Sequence, residues 1–85
     1  MEDMELGKVT HYFSKIGVAV ILVEKGTVNK GDTIHIKGAT SDFDQEVDSM
    51  QVNHKEVEEA KAGESIGLKV KSPVRENDNV YKVVE

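Results

Sequence analysis

The sequence predicts an all-β fold: a small, closed or partly open antiparallel β-barrel of about six strands. Short segments of apolar residues, alternating or continuous, recur between turn-forming residues along most of the chain. The run Val18–Val23 is apolar throughout and rich in β-branched residues, which favours a strand buried on both faces. Gly63 and Gly67 lie just before and within another strand-like segment, where glycines mark the sharp bends that a small barrel needs.

The chain has 85 residues, which is enough for one domain with a modest core. We expect residues 6–85 to form the barrel. Residues 1–5 are acidic and show no periodicity, so they are predicted to be a disordered tail.

The first half of the chain predicts three strands. Leu6–Phe13 is expected to be a strand with Val9, His11 and Phe13 on one face, and Val18–Val23 is expected to lie at the centre of the core. A turn at Gly31-Asp32 then leads into Thr33–Lys37, where Ile34 and Ile36 should point inward.

The second half contains a change of phase. The carboxylates between Asp42 and Asp48 alternate with other residues and should line one solvent-facing edge. Val47 has an odd residue number and Met50 an even one, so in an unbroken strand these two apolar side chains would lie on opposite faces. A bulge or kink is therefore predicted near Asp48-Ser49. Three further features complete the chain: residues 56–61 are expected to be extended rather than helical, residues 72–79 form loop and turn, and residues 80–84 form the closing strand.

Composition narrows the range of functions. Sixteen acidic against 11 basic side chains give a net charge of -5, which disfavours broad nucleic-acid binding. The absence of cysteine excludes disulfides, thiolate zinc sites and a cysteine nucleophile. No signal peptide or membrane span is recognised, so a cytoplasmic protein that does not bind membranes is expected, and the acidic edge favours a monomer.

No group of residues predicts catalysis, and no cofactor or metal is expected. Asn29–Asp32 spells a guanine-recognition string, but the chain has no phosphate-binding loop to accompany it, so a hairpin turn is the better interpretation. His11, His35 and His54 are scattered without ligand spacing. Tyr12 and Phe13 beside Lys15 could form a weak stacking platform for single-stranded nucleic acid, although packing of one of them in the core is favoured.

Two segments carry a family resemblance. Val57–Val70, with Ala62-Gly63-Glu64 and Gly67-Leu68, resembles the second domain of the translational GTPases, of which elongation factor Tu is the best known. Val23–Gly38, with Gly26 and Lys30-Gly31-Asp32 before an alternating strand, resembles a hairpin of the same domain. The resemblance spans residues 7–84 and implies a β-barrel of the translation-factor domain 2 type.

The resemblance also implies a binding pocket for the aminoacylated end of a transfer RNA. The pocket would lie between residues 11–17 and 62–69, and the residues implied are His11, Phe13, Gly17, Ser65, Gly67 and Lys69. Two positions depart from the family pattern, since Ser65 replaces a usual asparagine and Ile21 stands about where relatives commonly have a glycine.

Two functions follow as hypotheses. The first is a noncatalytic binding module related to translation, with an aminoacyl-tRNA end or a protein of the translation machinery as partner. The alternative is a protein-docking module that resembles the C-terminal accessory domain of collagenase-like peptidases and has no RNA role. Because a fold alone does not fix function, the surface between the two implied segments must distinguish them. A pocket with ordered polar donors favours a small or RNA-end ligand, whereas a flat, extended apolar patch favours a protein partner.

Overall fold

The computed structural model describes residues 2–39, 42–53 and 55–84. All the regular secondary structure in these residues is β-strand. The strands in chain order are β1 (Glu2–Phe13), β2 (Val18–Val23), β3 (Thr27–Asn29), β4 (Thr33–Lys37), β5 (Asp42–Glu46), β6 (Met50–Val52), β7 (Lys55–Val57), β8 (Glu59–Lys61), β9 (Ser65–Lys69) and β10 (Asn79–Val84).

Eight of these strands form one sheet in the order β5-β4-β10-β1-β2-β9-β6-β7, and β3 pairs with β8 in a separate two-stranded sheet. All the pairings are antiparallel. The predicted all-β class is confirmed, as a partly open barrel. It has more strands than the sequence indicated, because residues 42–52 and 55–61 each form two short strands and β3 lies in a segment for which no strand was predicted.

The core is formed by one face of the main sheet together with Val28 and Ala60 of the two-stranded sheet. On β4, Ile34 and Ile36 point inward as predicted, and on β2 the core residues are Ala19, Ile21 and Val23. The other face of β2 carries Val18, Val20 and Leu22, which are only half-buried. The prediction that β2 is buried on both faces is therefore only half right, since its second face is not fully covered.

Strand β1 contains two irregularities that change which side chains face the core. Its register shifts between Glu5 and Gly7 against β10, and between Val9 and His11 against β2. Val9 is buried, and Tyr12 rather than His11 or Phe13 packs against the core. The prediction that Val9, His11 and Phe13 share one face is wrong, because a bulge inserts one residue and reverses the side of each later residue.

The predicted disordered tail is also wrong for residues 2–5. These residues extend β1 and pair with β10, from Glu2 opposite Val84 to Glu5 opposite Tyr81. The pairing supplies ladder partners to a segment whose own sequence has no strand-like pattern. Met1 lies outside the described residues.

A break at residues 47–49 produces the predicted change of phase. Val47 is buried and exchanges backbone hydrogen bonds with the β3–β4 turn, donating to Asp32 at 2.8 Å and accepting from Gly31 at 2.8 Å. Met50 is buried next, in β6, which pairs with β9 instead of β4. The chain thus moves from one end of the sheet toward the other, where a bulge or kink was expected.

The side chain of Gln45 joins edge strand β5 to the end of β9. Its Nε2 donates to the carbonyl of Lys69 at 2.5 Å, and its Oε1 accepts from the backbone N–H of Lys71 at 2.8 Å. The amide group thus bonds to a donor and an acceptor two residues apart, as a peptide group of a parallel strand would. The contact brings β5 close to the other side of the barrel.

Candidate functional site

A depression lies on the outer face of the sheet, where β1 turns into β2 beside β9 and β6. It has a volume of about 480 Å³. We call it the outer depression; its lining residues are Phe13, Ile16, Val18, Val20, Gln51, Asn53, Ser65 and Gly67. Because side chains alternate along a strand, the core face of β2 and this outer face use opposite sets of residues.

Apolar side chains dominate one side of the outer depression. Phe13 is 46% exposed and Ile16 is 62% exposed, and both stand beside the half-buried Val18 and Val20. The β1–β2 turn holds them in place, since the Phe13 carbonyl accepts hydrogen bonds from the N–H groups of Ile16 and Gly17 at 3.3 and 2.8 Å. Two large exposed apolar groups next to each other favour contact with another molecule.

Gly67 forms the floor of the outer depression. A Cβ atom placed there would lie 3.8 Å from Val18 Cγ1 and 4.0 Å from the Gln51 carbonyl, which is ordinary contact distance. The position is therefore open to a side chain, and the missing side chain leaves room above β9. Gln51, Asn53 and Ser65 supply uncharged polar groups around the rim, and within the described lining no residue is charged.

The structure brings together three of the six residues that the resemblance implied. Phe13, Ser65 and Gly67 line the outer depression. His11 lies beside it, with its ring centroid 4.4 Å from that of Phe13, and Gly17 lies in the adjoining turn with φ 67° and its carbonyl bonded to the Val70 N–H at 2.9 Å. Lys69 instead lines a separate depression of about 370 Å³ with Gln45 and Lys71.

Sequence reasoning missed five of the lining residues: Ile16, Val18, Val20, Gln51 and Asn53. The apolar run Val18–Val23 could have indicated Val18 and Val20. In an antiparallel sheet with one face toward solvent, a strand that is apolar on both faces places apolar side chains on the uncovered face. Ile21 lies in the core rather than in the depression, so its departure from the family pattern does not alter this site.

The other candidates from the sequence have structural roles. Asn29–Asp32 forms a turn in which the Asp32 carboxylate accepts from the Asn29 N–H at 2.8 Å, consistent with hairpin chemistry. Across the described residues, no cluster of metal-ligating side chains is present. His54 lies outside them. The described part of the chain also contains no helix long and apolar enough to cross a membrane.

The barrel and its outer depression can be compared with known proteins. The family described as elongation factor Tu domain 2 matches residues 17–81, well over half of the chain. The chain belongs to the elongation factor Tu domain 2 family. The resemblance predicted from the Val23–Gly38 and Val57–Val70 segments is confirmed.

Two curated relatives are peptidases by name. The chain is 45% identical over 83 residues to an uncharacterized protease of Methanocaldococcus jannaschii. This match covers 96% of the chain and 20% of the relative. It is 37% identical over 82 residues to a collagenase of Porphyromonas gingivalis, covering 95% of this chain and 20% of that protein. The chain thus spans about a fifth of the length of these relatives.

A solved structure shares the fold. The C-terminal domain of a Geobacillus thermoleovorans protein described as a U32 peptidase superposes with a TM-score of 0.87 at 20% sequence identity. The match covers 95% of this chain and 93% of that domain. Together with the two sequence relatives, this match confirms the second resemblance predicted from the sequence, to the accessory domain of collagenase-like peptidases.

Proposed function

We propose that the chain is a noncatalytic protein-docking module, and that its outer depression contacts the peptidase part of a protein like its curated relatives. The uncovered apolar side of the depression carries the proposal. Phe13 and Ile16 expose large apolar surfaces beside two half-buried valines, whereas an isolated barrel would gain stability by burying them. Aromatic and aliphatic anchors of this kind are typical of the centre of protein–protein contacts.

The similarity to the relatives suggests the class of partner. The matched region is only a fifth of each relative, so in those proteins a domain of this kind accompanies a much larger polypeptide. An uncharged depression suits an uncharged, apolar part of that polypeptide, since charged groups brought there would lose hydration without gaining a partner.

A second candidate function is binding of an aminoacyl-tRNA end, as the family resemblance implies. The coincidence of Phe13, Ser65 and Gly67 in one depression favours it. Two observations weigh against it: the described lining offers no basic side chain to a terminal phosphate, and the net charge of -5 repels a nucleic acid. We therefore place it second.

Filling the outer depression tests the docking proposal. Gly67→Val adds a β-branched side chain above β9, where its Cβ atom would meet neighbouring atoms only at ordinary contact distances, so we expect the fold to persist and docking to weaken at least about tenfold. The measurement is the dissociation constant, by calorimetry, for the M. jannaschii relative expressed without its matching region. That region, expressed separately, is the positive control.

Thr33→Val is the matched control variant. It adds apolar character without changing charge on β4, which lies three strands from β2 in the sheet, and we expect it to bind like the wild type. Equal binding by the Gly67 variant and the wild type would contradict docking through the outer depression. If the relative's own region binds and this chain does not, docking to this class of partner is refuted for this chain.

A further inference from the structure

A histidine joins edge strand β5 to its neighbour β4. His35 lies on the outer face of β4, and its side chain is 22% exposed. Its Nε2 is 2.7 Å from Asp42 Oδ1, and its Nδ1 is hydrogen-bonded to Asp44 Oδ1. Both aspartates belong to β5, in which Asp44 is the direct cross-strand partner of His35 and Asp42 that of Lys37. One imidazole therefore contacts two carboxylates of the same edge strand.

We propose that His35, Asp42 and Asp44 form a proton-operated clasp that fastens β5 to the sheet. When the imidazole is protonated, both ring nitrogens donate, and each carboxylate accepts one charge-assisted hydrogen bond. The neutral imidazole has one donor, so one carboxylate then faces a nitrogen lone pair and loses its bond. Loss of the proton therefore weakens the attachment of β5.

The two carboxylates beside His35 favour the protonated form of its imidazole. From β5 it faces Asp42 and Asp44, from β10 its cross-strand partner is Tyr81, and along β4 its neighbour on the same face is Lys37. Beyond Tyr81, the same row of the sheet continues to Glu5 on β1. The hydrogen bond to Asp44 raises the pKa of His35 above 6.5, burial opposes this, and attraction to both aspartates adds to it.

The stabilisation that the clasp gives depends on pH through the protonation of His35. Because the pKa of His35 is higher in the folded chain, the stabilisation is fully present below pH 6.5 and is lost as the pH rises through the folded-state value. The clasp is thus fully formed below pH 6.5 and is weakened above the folded-state pKa of His35.

Opening the clasp affects a particular part of the surface. Strand β5 is an edge of the main sheet and has a hydrogen-bonded strand, β4, on one side. On its other side, the Gln45 side chain bonds to Lys69 and Lys71 across the depression of about 370 Å³. Because the neutral imidazole keeps one of its two hydrogen bonds and the backbone pairing of β4 with β5 remains, loss of the proton loosens the attachment of β5, and with it this contact, without detaching the strand.

The test combines an NMR titration with amide hydrogen exchange of the whole chain. We expect the imidazole of His35 to titrate above pH 6.5 in the wild type and to return toward that value in the variant carrying both Asp42→Asn and Asp44→Asn. The β5 amides should exchange faster relative to the β2 amides as the pH rises from 6 to 9. Taking β2 as the internal reference removes the general effect of pH on exchange.

His35→Gln is the second variant, since it keeps a polar side chain that does not titrate. Between pH 6 and pH 9 the wild type should lose unfolding free energy relative to this variant. Three results would overturn the proposal: a His35 pKa at or below the ordinary value in the wild type, the same pKa in the double asparagine variant, or identical pH dependence of stability in the wild type and His35→Gln.

Discussion

Replacing Gly7 by alanine should lower the free energy of unfolding by about 3 kcal/mol, at the upper end of the usual cost of overpacking. Gly7 lies in β1 between β2 and β10, directly after a register shift. A Cβ atom at this position would lie 1.9 Å from the carbonyl oxygen of Leu22 and 2.9 Å from its carbonyl carbon. Since these are backbone atoms of a paired strand, relief requires β1 and β2 to separate. Urea denaturation at a single pH measures the loss.

Gly67→Ala is the matched control for this substitution. It makes the same chemical change inside another strand, but the nearest atoms to the new methyl group would be 3.8 and 4.0 Å away. We expect its stability to equal that of the wild type or to rise slightly, because alanine restricts the unfolded chain. Equal losses in the two variants would show that general glycine propensity, and not the approach of β2 to Gly7, decides the effect.

Ile21→Ala should also cost about 3 kcal/mol of unfolding free energy, from lost burial and the cavity left behind. Ile21 is fully buried at the centre of β2, a strand paired with both β1 and β9. Few neighbours can move to fill the space, since Ile21 belongs to a buried cluster of large side chains that also includes its cross-strand partner Ile66. Thermal and urea unfolding both measure the effect.

Ile16→Ala removes the same atoms from a residue that is 62% exposed. We expect this variant to change stability by less than about 0.5 kcal/mol, as surface substitutions usually do. A large loss at Ile16, or a small one at Ile21, would contradict the assignment of the two side chains to the outer and inner faces of the sheet.

The sequence predicts those parts of the fold that depend on local patterns. Alternation in Thr33–Lys37 places Ile34 and Ile36 in the core, and glycines and Asx residues locate the turn at Asn29–Asp32. The family resemblance adds the type of barrel. These features need only neighbouring residues, because side-chain period and turn conformation are local properties of the chain.

The faces of β1 could not be predicted in this way. The bulge between Val9 and His11 lies in the pairing of β1 with β2, and on its other side Val9 is hydrogen-bonded to Asn77 and Asp78, which are far away in the sequence. It turns Tyr12 toward the core and leaves Phe13 exposed. Pairing with β10 likewise orders residues 2–5, whose sequence alone shows no strand pattern.

Part of the outer depression could not be predicted, because pairing between strands that are distant in the sequence brings some of its residues together. Phe13, Ser65 and Gly67 belong to the segments that carry the resemblance. Gln51 and Asn53 come to the site only because the break at residues 47–49 takes the chain from β5 to a new pairing with β9. Which partner binds the depression depends on the chemistry of the side chains that line it, and the fold does not determine that chemistry.

Binding of a protein partner at the outer depression can be tested by an amide and methyl NMR titration. The chain is titrated with the M. jannaschii relative lacking its matching region, and in a second sample with aminoacylated transfer RNA. We expect the protein to shift signals of Phe13, Ile16, Val20 and Gly67, and the RNA to leave them unchanged. Shifts of these residues with the RNA and none with the protein would contradict the account and support the aminoacyl-end function.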